Sequence, residues 1–211
     1  MKLNLAMIIF LLTATVSCQV LPSLLVEPTS LPGWRSPVGE LLLEDDSFPQ
    51  GWARIRDLPY DKMTDPTTNH VYRSWWWEMV GSGKVEQDIW RSYTVEDAEK
   101  HYAELRQSQF HPSRTPHPDD TFVEFEPPEE ITFRSQIADE FYLACGRWGR
   151  GPECVVVARY RNYVTQLRID QEMECEGYTN RGLKYSEIED LIRAMDARFV
   201  EAMEEFYPSP P

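Results

Sequence analysis

Basic side chains are scarce in this chain of 211 residues, which has 21 Lys and Arg against 35 Asp and Glu. The formal net charge is therefore −14 at pH 7. Such a surface repels the phosphates of nucleic acids and anionic lipid headgroups. No stretch concentrates enough Lys and Arg to reverse that repulsion. The acidic composition argues against nucleic acid as a partner. Its simplest explanation is that a high net charge keeps the protein soluble.

The common motifs of catalysis are missing as well. The sequence has no GxSxG elbow, HExxH helix, Walker loop or GxGxxG turn, the patterns of hydrolases, zinc peptidases and nucleotide-binding proteins. Carboxylates are so abundant that no pair stands out as general acid and base. We expect no cofactor and no catalytic residue, and a binding protein is favoured over an enzyme.

No apolar run reaches the ~20 residues that span a bilayer as a helix. One shorter run, Leu5–Leu12, follows Lys2 and precedes small residues, which is the layout of a secretory signal peptide. We expect residues 1–17 to be that signal. Residues 18–40 contain four prolines and no sustained periodicity, so they predict an extended linker.

The signal ends at a cysteine. Residues 15–18, TVSC, resemble the lipobox of bacterial lipoproteins, although Thr15 stands where leucine is usual. The resemblance implies that Cys18 is diacylated, becomes the mature N-terminus and anchors an exported chain to the membrane on its extracytoplasmic side. The alternative is ordinary cleavage after Ser17, which releases a soluble secreted protein.

A β-hairpin is expected in the first half of the remaining chain. Residues 71–80 (VYRSWWWEMV) and 84–93 (KVEQDIWRSY) have the composition of two strands around the turn GSG. Thr94, with Asp97 three residues on, predicts the N-cap of an amphipathic helix that ends near Gln109.

A second hairpin is expected in the second half. Residues 154–160 and 163–170 predict two strands joined by the two-residue turn 161–162. This register places Tyr160 opposite Tyr163 and leaves one face mostly apolar, as an antiparallel sheet against a helix layer requires.

The last helix has the clearest pattern. Ser186 begins a capping box, and the helix is expected to run to about Phe206. Its apolar stripe consists of Ile188, Leu191, Ile192, Met195, Phe199, Ala202 and Phe206.

Together these elements predict one α+β domain over residues 41–207, an antiparallel sheet with helices packed on one face. Residues 41–110 and 121–207 are its candidate halves, each a βββα unit. This order, with the opening segment LLLEDDSFPQGW, loosely resembles extracytoplasmic sensor-like domains of bacterial lipoproteins and of membrane Ser/Thr kinases. The resemblance implies a fold and no particular ligand.

The four cysteines allow only a few disulfide pairings. Cys145 and Cys154 share the inward parity of neighbouring strands, which predicts a disulfide in an exported protein; two buried thiols are the alternative. Cys175 then has no evident partner if Cys18 is lipidated. If Cys18 is not lipidated, a bridge between Cys18 and Cys175 is open.

Consecutive tryptophans supply the candidate ligand surface. In a strand, Trp75 and Trp77 share one face and Trp76 takes the other. Trp76 is therefore the candidate for contact with a ligand, against the simpler interpretation that all three are sheet residues covered by helices or by the linker.

Only one stretch gathers residue types that ligate metals. His111, His117, Asp119 and Asp120 lie in a proline-rich loop, HPSRTPHPDD. Imidazoles and carboxylates suit a divalent cation, but histidines in a polar loop are usually solvated, and we expect no metal site.

The sequence thus predicts an exported, lipid-anchored, non-enzymatic binding or sensing module at the cell envelope. Its partner would be an envelope protein or a small ligand. One alternative is an envelope hydrolase, metal-dependent through His111 or His117, and another is a purely structural envelope protein.

Overall fold

A seven-stranded antiparallel sheet is the main element of the computed structural model, which describes residues 38–59, 69–77, 83–110, 123–148, 151–171, 173–175, 178–180 and 182–206. Its strands are β1 (Trp52–Leu58), β2 (His70–Trp77), β3 (Lys84–Arg91), β4 (Val123–Glu126), β5 (Glu140–Trp148), β6 (Gly151–Tyr160) and β7 (Tyr163–Asp170). Across the sheet they run in the order β1-β2-β3-β7-β6-β5-β4.

Two helices and a small second sheet complete the described fold. The helices are α1 (Val95–Phe110) and α2 (Tyr185–Phe206), and the strands β8 (Met173–Cys175) and β9 (Tyr178–Asn180) pair with each other. Short 3₁₀ segments lie at Val38–Leu41 and Asp45–Ser47. Neither described helix has the length and apolarity needed to cross a membrane.

The predicted α+β class is confirmed, and so is the register of the second hairpin. Tyr160 lies opposite Tyr163, and Cys154 lies opposite Ile169. The two-residue turn between β6 and β7 places Arg161 at φ 57°, in the left-handed region that tight hairpin turns use. The two-residue turn was enough to define this register.

The placement of the helices differs from the prediction. We expected both on one face, but α2 packs on one face of the sheet, here called the inner face, and α1 packs on the opposite, outer face. On the inner face the stripe of α2 from Ile188 to Phe199 is fully buried against residues such as Val156 and Leu167. On the outer face Tyr102 of α1 packs against Val157. Strand β6 explains the difference, because all its residues from 154 to 160 are buried and both its faces need cover.

The two halves share an order of elements but not a symmetric placement. Strands β3 and β7 join the halves as antiparallel neighbours. A two-fold axis between antiparallel neighbours runs perpendicular to the sheet, so it leaves each face on its own side. Because α1 and α2 lie on opposite faces, this axis does not relate one βββα unit to the other.

The helix starts follow the capping rules, with one correction. Thr94 caps α1 as predicted, since its Oγ1 accepts the Asp97 N–H at 3.0 Å. Helix α2 begins one residue before the predicted cap Ser186. There the Glu187 carboxylate accepts the Lys184 N–H at 2.9 Å, so the glutamate supplies the reciprocal half of a capping box.

Residues just before β1 seal one end of the inner core. Val38 and Leu43 are fully buried, although the sequence places Val38 in the linker. The Leu43 N–H donates to the buried Gln87 side chain at 2.8 Å, and the Leu43 carbonyl accepts from Arg73 at 2.9 Å. Two polar side chains of the sheet thus fix this segment in place.

Candidate functional site

The predicted disulfide between Cys145 and Cys154 is present. The two residues are direct partners on β5 and β6, with Cα atoms 4.0 Å apart and side chains on the inner face. Cys18 lies outside the described residues. Cys175 belongs to β8, but its side chain lies outside the described part of the chain.

The three consecutive tryptophans alternate as expected. Trp75 is fully buried on the inner face, whereas 42% of Trp76 is exposed on the outer face. Trp77 returns to the inner face, where it is half-buried. The structure therefore presents Trp76 to solvent, and Trp77 becomes the second residue of interest.

The outer face around Trp76 combines apolar and charged side chains. On β1, Ile55 is 59% exposed at a register shift that marks a β-bulge, and Leu58, which pairs with Tyr72, is 39% exposed. On β3, Glu86 binds Lys84 at 2.6 Å and also accepts the Tyr72 hydroxyl. The charges of Lys84 and Glu86 therefore bind one another on this face.

The loop that holds His111, His117, Asp119 and Asp120 lies outside the described residues. Within residues that the structure does describe, no three side chains of the His, Cys, Asp and Glu types come together as a metal site.

A pocket lies where the end of β2 and the start of β1 meet the beginning of α2, and we call it the tryptophan pocket. Its volume is about 220 Å³, and it is half-open to solvent. Its lining residues are Pro49, Gln50, Trp52, Trp77, Gly182, Leu183, Lys184 and Glu187.

The aromatic wall of the pocket depends on one glycine. Trp52 and Trp77 are paired residues of β1 and β2, and their rings meet edge to face at 76° with centroids 6.3 Å apart. Gly51 has φ +99°, and a Cβ there would lie 2.4 Å from Cη2 of Trp77. Glycine is thus required both for the backbone conformation and for the close approach of the indole ring.

Phe48 supports this wall from behind. Its ring centroid lies 6.0 Å from that of Trp52 and 4.5 Å from that of the buried Trp75. Because Phe48 is itself buried, Trp52 is backed by the inner core. The aromatic wall therefore has a packed support.

The opposite wall comes from the segment that enters α2. Leu183 is 2% exposed, and its N–H donates to the Asp170 carbonyl at 2.9 Å, which ties this segment to the end of β7. Lys184 and Glu187 follow at the start of the helix, where the Glu187 carboxylate accepts the Lys184 N–H. The residues on this side of the pocket therefore include one basic and one acidic residue, and the Glu187 carboxylate is fixed on the Lys184 backbone.

A second group of ionisable residues lies on the outer face at the end of β7. The Asp170 carboxylate accepts the Lys84 N–H at 2.9 Å. Burial, together with the neighbouring Glu153, raises the pKa of Asp170 to about 6. Arg168 binds Glu153 at 3.0 Å, so the group is an ion-pair network around a half-buried carboxyl.

Burial also raises the pKa of Tyr72 to about 12, with its hydrogen bond to Glu86 as the second cause. The same hydrogen bond and the Lys84 ammonium lower the pKa of Glu86 and outweigh the opposing effect of its burial. Tyr72 therefore stays protonated as a donor to an ionised carboxylate.

The sequence predicts part of the pocket. It indicates the tryptophan-rich strand, although with Trp76 as the candidate and not Trp77, and it does not indicate the contributions of Lys184 and Glu187. The sequence carries a signal for the aromatic wall only, in Gly51 before Trp52 and in the parity of Trp77.

No known protein family and no curated protein matches this chain. A solved structure of an uncharacterised protein from Mycobacterium smegmatis is similar, with 8% sequence identity and a TM-score of 0.40. The similarity covers 77% of this chain and 98% of the other. At that level the similarity carries no argument about function.

Proposed function

We propose that this protein is an exported, lipid-anchored binding or sensing module of the cell envelope that holds a small ligand in the tryptophan pocket. The pocket is the observation that carries the proposal. It combines two aromatic surfaces with a few polar groups, the usual composition of a small-molecule site.

The disulfide between Cys145 and Cys154 supports export. Disulfides persist in oxidising compartments and are rare in the cytosol. The signal-like N-terminus and the lipobox-like residues around Cys18 point to the same location, with the acyl chains on Cys18 as the anchor.

Binding in the pocket is tested by ligand-observed NMR with a library of small soluble fragments. Saturation-transfer signals from the wild-type protein are compared with those from Trp77→Leu, which removes one of the two indole rings of the aromatic wall. Trp76→Leu is the matched control, since it removes the neighbouring indole from the other face of the same strand. We expect a set of fragments that bind the wild type and the control but not Trp77→Leu.

The urea midpoint of each variant shows whether it is folded. Fragments that bind all three proteins equally would contradict a site at the pocket, as would a library that yields no binders.

The anchor is tested by the intact mass of the full-length gene product from a bacterial membrane fraction. The proposal expects residues 18–211 plus acyl groups, less two hydrogens for the disulfide. A soluble, unacylated product would remove the anchor from the proposal.

A further inference from the structure

The geometry of the aromatic wall favours a cationic ligand group. Trp52 and Trp77 stand nearly perpendicular, at 76°, and form a corner lined by two π-systems. The negative face of an indole attracts a cation, and two rings set at an angle are the arrangement that holds a quaternary ammonium. Glu187, which lines the same pocket, adds a carboxylate of the sign that such a group needs.

The long-range electrostatic field of the chain also favours a cationic ligand group. The chain carries a net charge of −14, so its field attracts cations and repels compounds that are only anionic. Lys184 lines the pocket as well, and its ammonium opposes a ligand that is only a cation. A ligand with both charges satisfies both side chains.

Size limits the ligand further. The pocket holds about 220 Å³, which is below the roughly 300–1,000 Å³ of sites for drug-sized molecules. It therefore suits one compact solute or one headgroup, and it has room for only one unit of an oligosaccharide or a peptide.

We infer that the tryptophan pocket binds a small zwitterion with a quaternary ammonium group, which lies in the corner of Trp52 and Trp77 beside Glu187 while its anionic group faces Lys184. This inference rests on the pocket function proposed above and adds the chemical class of the ligand.

Calorimetric titration of the wild-type protein tests the class with four soluble probes. Glycine betaine and phosphocholine carry both charges, and choline carries the cation alone. The fourth probe, 3,3-dimethylbutan-1-ol, has the shape of choline without its charge. We expect both zwitterions to bind and choline to bind more weakly. The neutral probe should bind at least about tenfold more weakly than choline, because cation–π attraction to two rings is lost.

Two charge variants assign the roles within the pocket. Glu187→Gln removes the carboxylate charge and keeps an oxygen that accepts the Lys184 N–H, so we expect at least about fivefold weaker binding of both zwitterions with only a small decrease of the urea midpoint, from the charge lost at the helix N-terminus. Lys184→Met should abolish the advantage of the zwitterions over choline. Trp76→Leu should leave every affinity unchanged.

The same headgroup chemistry occurs in free solutes and in lipids. Cosedimentation of the unacylated protein with phosphatidylcholine vesicles supports the ligand class and identifies a lipid headgroup as the source. Binding of soluble phosphocholine or betaine without cosedimentation supports the class and identifies a free solute.

Choline and its neutral analogue binding equally would overturn the inference, as would zwitterion binding that Glu187→Gln leaves intact. If fragments bind at Trp77 but no quaternary ammonium compound binds, the ligand class is wrong and the proposed pocket function stands. If neither the fragments nor the quaternary ammonium compounds bind, the ligand class and the proposed pocket function are both wrong.

Discussion

Asp170→Asn is expected to stabilise the protein at alkaline pH. In the folded chain the Asp170 carboxylate is half-buried near Glu153, and these two causes raise its pKa from 3.8 to about 6. The folded state thus binds a proton that the unfolded state has already released between about pH 4 and 6. Stability falls as the pH rises through this window, and the penalty is complete above it.

The magnitude follows from the size of the shift. A difference of one pKa unit corresponds to 1.36 kcal/mol, so a shift from 3.8 to about 6 limits the penalty to about 3 kcal/mol. Partial solvation of the group reduces that limit. Asparagine removes the charge and keeps the oxygen that accepts the Lys84 N–H. The advantage of Asp170→Asn over the wild type should be about 1–3 kcal/mol greater at pH 8 than at pH 4.

Urea unfolding of wild type and variant, followed by tryptophan fluorescence from pH 4 to pH 8, measures this difference. Groups that both proteins share cancel in the comparison. Asp190→Asn, at an exposed position of α2, controls for the general relief of removing one negative charge from an acidic chain. An advantage that does not change with pH, or one matched by Asp190→Asn, would refute the reasoning.

Three further changes test the fold. Gly51→Ala should lower the free energy of unfolding by more than about 1 kcal/mol in urea titration, because alanine is strained at φ +99° and its Cβ would overlap an indole ring; an unchanged urea midpoint would count against that close approach. The double variant Cys145→Ala, Cys154→Ala should have a free energy of unfolding about 2.5 kcal/mol lower, the loop-closure value for a separation of nine residues. Adding reductant should lower the wild-type urea midpoint and leave the double variant unaffected. Asp196→Ala should lower the free energy of unfolding by about 2–3 kcal/mol, since its carboxylate accepts both the buried Tyr160 hydroxyl at 2.8 Å and the Ser135 hydroxyl at 2.5 Å; the part due to Tyr160 should disappear when Tyr160→Phe is already present, and fully additive losses would contradict that hydrogen bond.

Local periodicity predicted the elements whose partners are near in sequence. The hairpin of β6 and β7 has a turn of two residues, and that turn sets which residue of one strand opposes each residue of the other. The stripe of α2 was equally explicit, and Phe199, one of its members, is buried as predicted and packs against the Tyr160 ring at a centroid distance of 3.9 Å.

Features that depend on distant segments were not predicted. The pairing of β3 with β7 joins residues about 80 positions apart, such as Val85 and Ile169, and no local pattern specifies it. The short strand β4 was also missed, because only four residues of edge strand leave too little periodicity to detect.

The position of the two helices on opposite faces of the sheet does have a local signal in the sequence. The prediction took residues 154–160, CVVVARY, as one apolar face and one half-polar face. In the fold Val155 and Val157 also need cover, and α1 provides it, while Arg159 on the same face is bound by Glu140 at 2.6 Å. An apolar run on both parities of a strand predicts helices on both sides of the sheet.

The tryptophan pocket shows why a site is harder to predict than the fold that forms it. Its aromatic wall joins Trp52 to Trp77 across one strand pair, and its charged wall comes from Lys184 and Glu187 more than a hundred residues later. Each of these residues has a sufficient local reason to be present: tryptophans favour strands, and a glutamate in the first turn caps a helix. Only the three-dimensional arrangement brings the two walls together, so the functional hypothesis depends on geometry. The titration of choline against its neutral analogue tests that geometry directly. If these residues served only packing and capping, the pocket would not distinguish the two compounds.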